Sequence, residues 1–406
     1  MKKVCMITAI IALVSCQANN DFGGEEKKIA GKKLELTEAE QAVAQKVNGF
    51  AFDLIKATVA KSGDNVLVSP LSASYALAMI NNGAAGATEE EIRTVLGFGD
   101  VSNADMNSFY SKMTDAMQTV DPDVSFESAN SIWIDPGFPV YEIFKITNTE
   151  YYNAEIRNEQ FDGALKNKIN DWCSDKTHGK ITDFLKESPA PPLCLINALY
   201  FKGAWTLPFD KELTKDETFH NADGSQSTVA MMNMEDNLNY TTGANFKLLE
   251  LPYGNESFAM ELLLPNEGVS IDALVESLDA DTWSNAIRGL QTVSLPVKLP
   301  RFKVEYERSL KESLQAIGLN KIFSEPDFSR ISDATDLYVK DVLQKTCAEV
   351  NENGTEAAAV TVIQMCTSTG EPYVPPTFYA DRPFLYLIRE KTSGVIFFAG
   401  VYNEVD

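Results

Sequence analysis

The stretch Glu349-Val-Asn-Glu-Asn-Gly-Thr-Glu-Ala-Ala-Ala359 opens a long connection that no ordinary helix or strand explains. The connection follows an apolar, strand-like segment that ends near Val350, and it runs to the proline pair Pro375-Pro376. It has no sustained apolar period. Loops of this length inside a compact domain are uncommon, and they are usually functional or disordered. On composition alone, a flexible connection and a short helix capped by Thr355 both remain open.

Residue types alternate along the connection from Thr355 to Gln364. In a β-strand, successive side chains point to opposite faces. One of the two sets carries no charge, and it comprises Thr355, Ala357, Ala359, Thr361, Ile363 and Met365. The other set contains the polar residues Glu356 and Gln364 together with Ala358, Val360 and Val362. The alternation therefore predicts a loop that can become a buried strand.

The composition is that of an ordinary globular protein, since 44% of the 406 residues are hydrophobic and 23% are charged. The length alone suggests two or three domains, but turn residues nowhere accumulate between two apolar blocks. We therefore predict a single domain over residues 34–406. Helix-like segments lie mostly in the first half and strand-like segments mostly in the second, which is typical of the α+β class.

Local signals place the first two helices. Thr37 and Glu40 form a capping box before apolar residues at helical spacing. Ser69 and Pro70 favour the start of a second helix, which is apolar nearly all round and is therefore predicted to be buried.

Six apolar segments predict the strands of the second half. Leu193 to Phe201 is almost continuously apolar, which indicates a strand buried on both faces. The closing pair, Phe384 to Ile388 and Val395 to Val401, predicts a hairpin in the core. Further strand-like segments are Phe258 to Leu264, Val293 to Glu307 and Leu337 to Val350.

The N-terminus predicts export and lipid anchoring. Lys2 and Lys3 precede an apolar run of about a dozen residues, which is too short to span a bilayer. The run ends in Leu13-Val14-Ser15-Cys16, which resembles the lipobox of bacterial lipoproteins. We therefore predict a signal peptide over residues 1–15, a lipid anchor at Cys16 and a flexible tether over residues 16–33. The expected location is the outer membrane, on its periplasmic or surface face; a plain signal peptide is the alternative.

The charge and the cysteines exclude several classes of ligand. The formal net charge is −23, whereas a nucleic-acid-binding protein needs a basic surface to displace counterions from phosphates. The cysteines that remain after cleavage are widely and irregularly spaced, which is typical of neither a disulfide framework nor a metal site. We therefore predict no nucleic acid, no metal and no cofactor.

Several motifs, in order along the chain, make it similar to the serpins, the superfamily of serine protease inhibitors. The similarity runs from about Glu38 to Val401, and Glu349 to Ala359 resembles the hinge of inhibitory members. The other motifs are Asn65 to Ser72, Ile169 to Trp172, Thr177 to Ile181, Asn197 to Trp205 and Asp381 to Phe384. Each motif is a modest signal, but their common order over this span is specific.

The resemblance implies a fold of three β-sheets and eight to nine helices, with an exposed reactive loop at about residues 352–378. It also implies an irreversible suicide-substrate inhibitor of serine or cysteine endopeptidases, and a monomer. A protease cleaves the loop and forms an acyl-enzyme, and the cleaved loop inserts as a strand into the central sheet. Insertion carries the protease across the molecule and distorts its active site before deacylation.

The hinge residues suit insertion. The resemblance assigns the hinge to Glu352, Gly354, Thr355, Glu356, Ala357, Ala358 and Ala359. Gly354 gives the backbone freedom to bend. Thr355, the first inward residue, is uncharged, and a charge there would oppose insertion because burying an unpaired charge is costly. The hinge therefore favours an inhibitor over a non-inhibitory carrier or chaperone, which is the alternative.

The family's scissile residue lies fourteen positions after the hinge glycine, which implies a reactive bond at Ser368-Thr369. A shift of register puts one of three preceding residues there: Thr367, Cys366 or Met365. No Arg or Lys lies between Glu356 and Glu371, so trypsin-like targets are not expected. The small Ser and Thr favour elastase-, subtilisin- or papain-like proteases.

In the family, a polar cluster beneath the central sheet controls its opening. Ser69, Ser72 and Asn197 match this cluster, but Gln344 occupies the position of its histidine. Gln can donate and accept hydrogen bonds but cannot become charged near neutral pH. The resemblance therefore implies an intact cluster that does not open on protonation.

The same correspondence bears on two cysteines. If Asn197 and Gln344 are neighbours on parallel strands, Cys194 and Cys347 lie about six residues apart, or roughly 20 Å at ~3.3 Å per residue. We therefore predict that they do not form a disulfide.

Two rival functions find little support. An enzyme needs a recognisable catalytic group, but the only histidines are His178 and His220, and no Gly-x-Ser-x-Gly motif accompanies them. A surface adhesin with a disordered loop does not explain the ordered series of motifs.

Overall fold

The computed structural model describes residues 32–334, 336–355 and 376–405. None of the helices in these ranges is long and apolar enough to cross a membrane. The described residues form nine α-helices: α1 (Glu38–Val59), α2 (Pro70–Asn81), α3 (Gly86–Val95), α4 (Asn103–Thr119), α5 (Glu142–Tyr152), α6 (Leu165–Lys176), α7 (Ile271–Ser277), α8 (Ala280–Arg288) and α9 (Lys311–Ala316).

The described strands separate into two hydrogen-bonded networks. They are β1 (Val66–Val68), β2 (Val124–Ile134), β3 (Glu155–Asn158), β4 (Leu193–Ala204), β5 (Lys215–His220), β6 (Gln226–Thr242), β7 (Phe246–Tyr253), β8 (Phe258–Pro265), β9 (Gln291–Pro300), β10 (Phe302–Ser309), β11 (Val339–Val350), β12 (Gly354–Thr355), β13 (Phe378–Tyr379), β14 (Phe384–Glu390) and β15 (Ile396–Tyr402).

The predicted helix starts are confirmed. At α1, the Thr37 side chain accepts a hydrogen bond from the Glu40 backbone N–H, and the Glu40 carboxylate accepts one from the Thr37 N–H. At α2, the Ser69 hydroxyl accepts from the Ser72 N–H, and Pro70 occupies the first helical position. Every residue of α2 is buried, as its apolar composition predicts.

The smaller network has the strand order β10-β11-β4-β2-β3, with β12 added beside β4. β4 runs antiparallel to β2 and parallel to β11. Its first seven residues are all buried, which confirms the prediction of a strand covered on both faces. The main core packs against one face of this sheet, whereas α6 packs on the other through Trp172 and Cys173.

The larger network has the order β1-β15-β14-β8-β7-β6-β9-β13, with β5 paired to β6. β6 pairs with β5 and β9 along most of its length and with β7 at its end. Two of the three expected sheets are therefore joined through this one long strand. The hairpin of β14 and β15 is buried throughout, as predicted.

One expected strand is divided. Val293 to Glu307 has a continuous strand-like pattern, but the structure breaks it at Arg301 into β9 and β10. The two pieces serve different sheets, because β9 pairs with β6 and β10 pairs with β11.

The cysteine prediction is confirmed. Gln344 pairs with Asn197, and Asp341 pairs with Cys194, on the parallel strands β11 and β4. Cys347 therefore lies six residues further along β11 than the partner of Cys194. Among the described residues, Cys173, Cys194 and Cys347 form no disulfide.

Candidate functional site

The junction between β4 and β11, called the seam below, has a closed half and an open half. In the closed half, residues from Val339 to Lys345 pair with residues from Leu193 to Ala198. Beyond Lys345, β11 stays paired with β10 as far as Val350, and β4 stays paired with β2 as far as Gly203. Within the described residues, no register pair joins β4 to β11 in that half. The central sheet is therefore closed at one end of the seam and parted at the other.

The predicted hinge enters the parted end. Gly354 pairs with Ala204 and Thr355 pairs with Gly203, both antiparallel. The other edge of Gly203 is taken by Val124 of β2, so β12 lies on the β11 side of β4. Thr355 is thus already part of the sheet and pairs antiparallel with β4.

Thr355 is held in a buried pocket of aromatic residues. Its side chain is 4% exposed, and its hydroxyl forms a 3.2 Å hydrogen bond with the hydroxyl of Tyr253. The Tyr253 ring stacks on Trp205, with 4.4 Å between ring centroids and 13° between planes. Trp205 Nε1 in turn donates to the Asn351 carbonyl at 3.0 Å. Trp205 and Tyr253 therefore position the hinge from both its turn and its strand.

Gly354 occupies a position that only glycine fits. Its φ angle is +125°, where residues with a side chain are strained. A Cβ atom there would lie 2.3 Å from the Gly203 carbonyl oxygen and 2.6 Å from the Trp205 amide nitrogen. The backbone at Gly354 must therefore approach β4 without a side chain, which is a physical reason for glycine at this position.

Glu352 anchors the start of the hinge. Its side chain is 2% exposed, and its carboxylate accepts hydrogen bonds from the Arg301 guanidinium and from the Thr214 hydroxyl at 2.8 Å. Its backbone carbonyl accepts from the Phe209 N–H at 2.8 Å. Burial by itself raises the pKa of Glu352. The hydrogen bonds from Arg301, from the Glu352 backbone and from Thr214, together with the charge of Arg301, outweigh burial and hold that pKa below its usual value.

The closed half of the seam carries a row of side-chain amides. Asn130, Asn197 and Gln344 occupy the same register on β2, β4 and β11, and each is at most 5% exposed. Asn197 Nδ2 donates to Asn130 Oδ1, and Asn130 Nδ2 donates to the Tyr152 carbonyl at 3.1 Å. The row crosses three strands of the central sheet.

Two serines from α2 connect this row to the core. The Ser69 N–H donates to Gln344 Oε1 at 2.8 Å, and Gln344 Nε2 donates to the Ser69 carbonyl at 2.9 Å and to Ser72 Oγ at 3.2 Å. The Ser72 hydroxyl donates to Asn197 Oδ1. The four predicted cluster residues therefore come together, and Gln344 supplies both donor and acceptor where the family pattern has a histidine.

Sequence reasoning missed four residues of this site. Asn130 carried a signal, because it is an amide just before the apolar run Ile132-Trp133-Ile134. Arg301, Thr214 and Tyr253 carried none, since they are distant in sequence from the hinge and meet it only in the fold. The remaining predicted site residues lie outside the described residues: Glu356, Ala357, Ala358, Ala359, Met365, Cys366, Thr367, Ser368, Thr369 and Cys16.

Comparison with known proteins agrees with this geometry. The family model for serpins, serine protease inhibitors, matches residues 45–405. The chain is 33% identical, over 417 aligned positions, to intracellular coagulation inhibitor 2 of Tachypleus tridentatus, covering 99% of this chain and 98% of that one.

Two solved structures are similar over nearly the whole chain. The thermophilic serpin Tengpin in its native state has a TM-score of 0.83 and 29% identity, covering 93% of this chain and 97% of its own. Human thyroxine-binding globulin has a TM-score of 0.81 and 25% identity, covering 89% and 98%. The chain belongs to the serpin family. Its members are generally protease inhibitors rather than enzymes.

Proposed function

We propose that this serpin is an irreversible suicide-substrate inhibitor of serine or cysteine endopeptidases. The observation that carries the proposal is the hinge at the parted end of the seam, where Thr355 is buried and paired with Gly203. After cleavage, the loop extends β12 between β4 and β11 as a new antiparallel strand. The bound protease is carried with it before the acyl-enzyme can hydrolyse.

The register of β12 fixes what each loop residue meets on insertion. Thr355 pairs with Gly203, so Ala357 follows opposite Phe201 and Ala359 opposite Leu199. Phe201 and Leu199 face the main core. Directly opposite residues on paired strands share a face, so the uncharged set of loop residues enters the core. The alternation of residue types along the loop therefore matches the two faces of β4, with the uncharged set on the core face.

The same register brings Thr361 opposite Asn197. At this point the core side of the sheet carries the buried amide row, and a hydroxyl can hydrogen-bond there whereas an aliphatic side chain cannot. The other set of loop residues faces α6, which packs on Cys194, Ile196 and Ala198 of β4. A full insertion therefore requires α6 to move away from the seam.

We place the reactive bond at Ser368-Thr369, with Thr367, Cys366 and Met365 as alternative scissile residues. The expected target is an elastase-, subtilisin- or papain-like protease.

We also propose that the chain is an outer-membrane lipoprotein that is anchored through Cys16. Radiolabelled palmitate should be incorporated into the expressed protein and lost in Cys16→Ser; equal labelling of the two would refute the anchor.

The test is to incubate residues 17–406 with neutrophil elastase, subtilisin and papain. We expect a band on a denaturing gel at the summed mass of serpin and serine protease. Mass spectrometry should show that the released C-terminal fragment begins at Thr369. A protease whose active site has been blocked beforehand is the control, and it should give no such band. Clean cleavage without a complex, and without a rise in melting temperature, would instead identify a non-inhibitory serpin.

A further inference from the structure

Asparagine is followed by glycine at three places in the chain, which are Asn48-Gly49, Asn82-Gly83 and Asn353-Gly354. An asparagine before glycine can lose its side-chain amide, because the next backbone nitrogen attacks the side-chain carbonyl carbon and no Cβ obstructs the approach. The first pair lies within α1 and the second at the end of α2, whereas the third belongs to the turn that opens the hinge. The same dipeptide therefore occurs in two helical positions and in one turn.

The two helical asparagines are held at both ends of the side-chain amide. Asn48 Nδ2 donates to the Gly394 carbonyl at 2.7 Å, and Asn48 Oδ1 accepts from the Ile396 N–H at 3.0 Å. Asn82 Nδ2 donates to Asn107 Oδ1, and Asn82 Oδ1 accepts from Asn107 Nδ2, both at 3.3 Å. Rotation of either side chain toward the following nitrogen therefore breaks two hydrogen bonds.

Asn353 is held differently. Its side chain is half-buried, and among the described residues its Oδ1 atom is buried without a hydrogen-bond partner. Its contacts are made by the backbone, since the Asn353 carbonyl accepts from the Trp205 N–H at 2.9 Å and the Asn353 N–H donates to Asn351 Oδ1 at 3.0 Å. The attacking atom, the Gly354 nitrogen, donates to the Asn351 carbonyl at 3.1 Å. The reaction therefore requires a brief opening of this turn, but it requires no release of the side-chain oxygen.

We propose that Asn353 is a site of spontaneous deamidation and that the reaction disables the hinge. The Gly354 nitrogen attacks the side-chain carbonyl carbon of Asn353, so that a new carbon–nitrogen bond forms and the bond to the side-chain nitrogen breaks. That nitrogen leaves as ammonia with the proton that the Gly354 nitrogen gives up, and the product is a cyclic succinimide. Water then opens the ring at one of its two carbonyl groups, which leaves either aspartate or isoaspartate. The chemistry uses water alone and needs no oxidant.

Either product changes the hinge. Aspartate puts a negative charge next in sequence to Glu352, whose carboxylate is 2% exposed, at a buried oxygen position that has no donor among the described residues. Burying an unpaired charge is costly. Isoaspartate carries the backbone through the side-chain methylene and lengthens it by one atom. Gly354 and Thr355 then lose their register with Ala204 and Gly203. The effect on inhibition rests on the proposed function, because the hinge matters only where the loop inserts.

The test is to hold the full chain at pH 8.5 and 37 °C, because loss of the proton from the attacking nitrogen speeds the reaction. Samples are digested with pepsin at acidic pH, and mass spectrometry follows the conversion of amide to carboxylate in each peptide. Asn48 and Asn82 are controls within the same molecule. We expect Asn353 to convert at least about tenfold faster than either, since two side-chain hydrogen bonds restrain each of the others. Labelling by an isoaspartate methyltransferase separates isoaspartate from aspartate.

Inhibition is measured on the same samples. The yield of covalent complex, with whichever of elastase and subtilisin the fresh protein inhibits, should fall in proportion to the converted fraction of Asn353. The matched variant is Asn353→Gln, which keeps an amide but must close a larger ring, and its yield should stay at its own starting value. Freshly prepared Asn353→Asp shows the effect of the aspartate product and should give a lower yield than fresh wild type. Melting temperatures establish that each protein is folded.

The outcomes separate this inference from the proposed function. Faster conversion of Asn353 with a matching loss of inhibition supports it. Equal conversion at the three asparagines overturns the site, and conversion of Asn353 with full inhibition retained overturns its effect on the hinge. Fresh protein that forms no complex overturns the inhibitor proposal, whereas the change in mass still decides whether Asn353 is deamidated.

Discussion

The two halves of the seam between β4 and β11 differ in the side chains that meet there. The closed half is crossed by buried hydrogen bonds that connect Gln344 to Asn197 through the serines of α2. On its core side, the open half has the buried apolar residues Phe201 on β4 and Ala348 and Val350 on β11. The buried Thr346 of β11 also lies there, but its hydroxyl donates to the Leu67 carbonyl of β1 and not across the seam. Directional polar bonds therefore hold the strands together at one end. The other end is held by apolar contact, into which a further strand can fit.

The difference between the two halves also explains how far the hinge extends into the seam. Gly354 and Thr355 occupy the end of the open half, and the amide row closes the sheet beyond it. Breaking an amide network leaves buried donors and acceptors unsatisfied, which costs about 1–3 kcal/mol for each group. These hydrogen bonds therefore oppose any further separation of β4 and β11, and the two halves of the seam can be perturbed separately.

The largest effect should come from a charge at the open end. Thr355→Arg puts a guanidinium where the native side chain is 4% exposed, and burying an unpaired charge costs several kcal/mol. The loop should still be cleaved, but the yield of covalent complex should fall more than about tenfold. Gel densitometry at increasing ratios of serpin to protease measures this yield. Thr355→Ser keeps the hydroxyl and should inhibit like wild type; an active Thr355→Arg would mean that Thr355 need not enter the sheet.

A smaller effect is expected from opening the closed half. Asn197→Ala removes the acceptor of the Ser72 hydroxyl and the donor to Asn130, and should lower the free energy of unfolding by about 2–3 kcal/mol. The urea concentration at the midpoint of unfolding measures the loss. Asn237→Ala, at an exposed position of β6, is the control and should stay close to wild type. An Asn197 variant as stable as the control would show that the amide row does not close the seam.

Much of this arrangement could be predicted from the sequence. The capping box at Thr37, the serine–proline start of α2 and the apolar run from Leu193 are local signals. They predict α1, α2 and β4 because residues close in sequence determine these elements. Gly354 and the cluster of Ser69, Ser72, Asn197 and Gln344 came from resemblance to a family. For these residues, the contacts in the structure agree with what the resemblance implies.

The rest depends on contacts between distant segments. Pro300 is a local signal for the strand break at Arg301. Nothing near Arg301 in sequence indicates that it reaches Glu352, because that contact arises from the meeting of two sheets. The joining of two sheets through β6 is equally non-local, since a strand-like pattern does not specify its partners.

A third prediction uses the glutamine of the closed half. Gln344→His introduces a titratable ring where Gln344 Oε1 accepts from the Ser69 N–H. Burial disfavours the charged imidazolium and lowers its pKa below ~6.5. Below ~6.5 the histidine is protonated in the unfolded chain but still neutral in the folded protein. The free energy of unfolding therefore falls as the pH drops, by up to about 1.4 kcal/mol per pH unit.

Melting temperatures between pH 8 and pH 5 test this. The curve of Gln344→His should fall below that of wild type on the acidic side. The exposed position Gln291 provides the control, because Gln291→His should follow wild type. Parallel curves for wild type and Gln344→His would mean that the seam accommodates a charged ring, and that the closed half is more open to water than its burial indicates.

The smallest effect concerns the ion pair at the start of the hinge. The pKa of Glu352 is held below its usual value because the bonds from Arg301 and Thr214 outweigh its burial. A carboxylate with a lowered folded-state pKa contributes stability above its unfolded pKa of about 4.3, and this contribution is lost as pH falls through the folded value. Arg301 is half exposed and solvent screens it, so Glu352→Gln should cost only about 1 kcal/mol at pH 7.

The pH dependence distinguishes the ion pair from simple packing. The difference in melting temperature between wild type and Glu352→Gln should be largest at pH 7, and it should shrink as the pH falls below about 4.3, the pKa of the unfolded chain, and on through the lowered pKa of folded Glu352. Glu325→Gln, at an exposed loop position, should show no such convergence. A difference that stays constant with pH would assign the role of Glu352 to its shape and backbone contacts. The hinge would then be anchored like the closed half, by neutral hydrogen bonds, and charge would not distinguish the two ends of the seam.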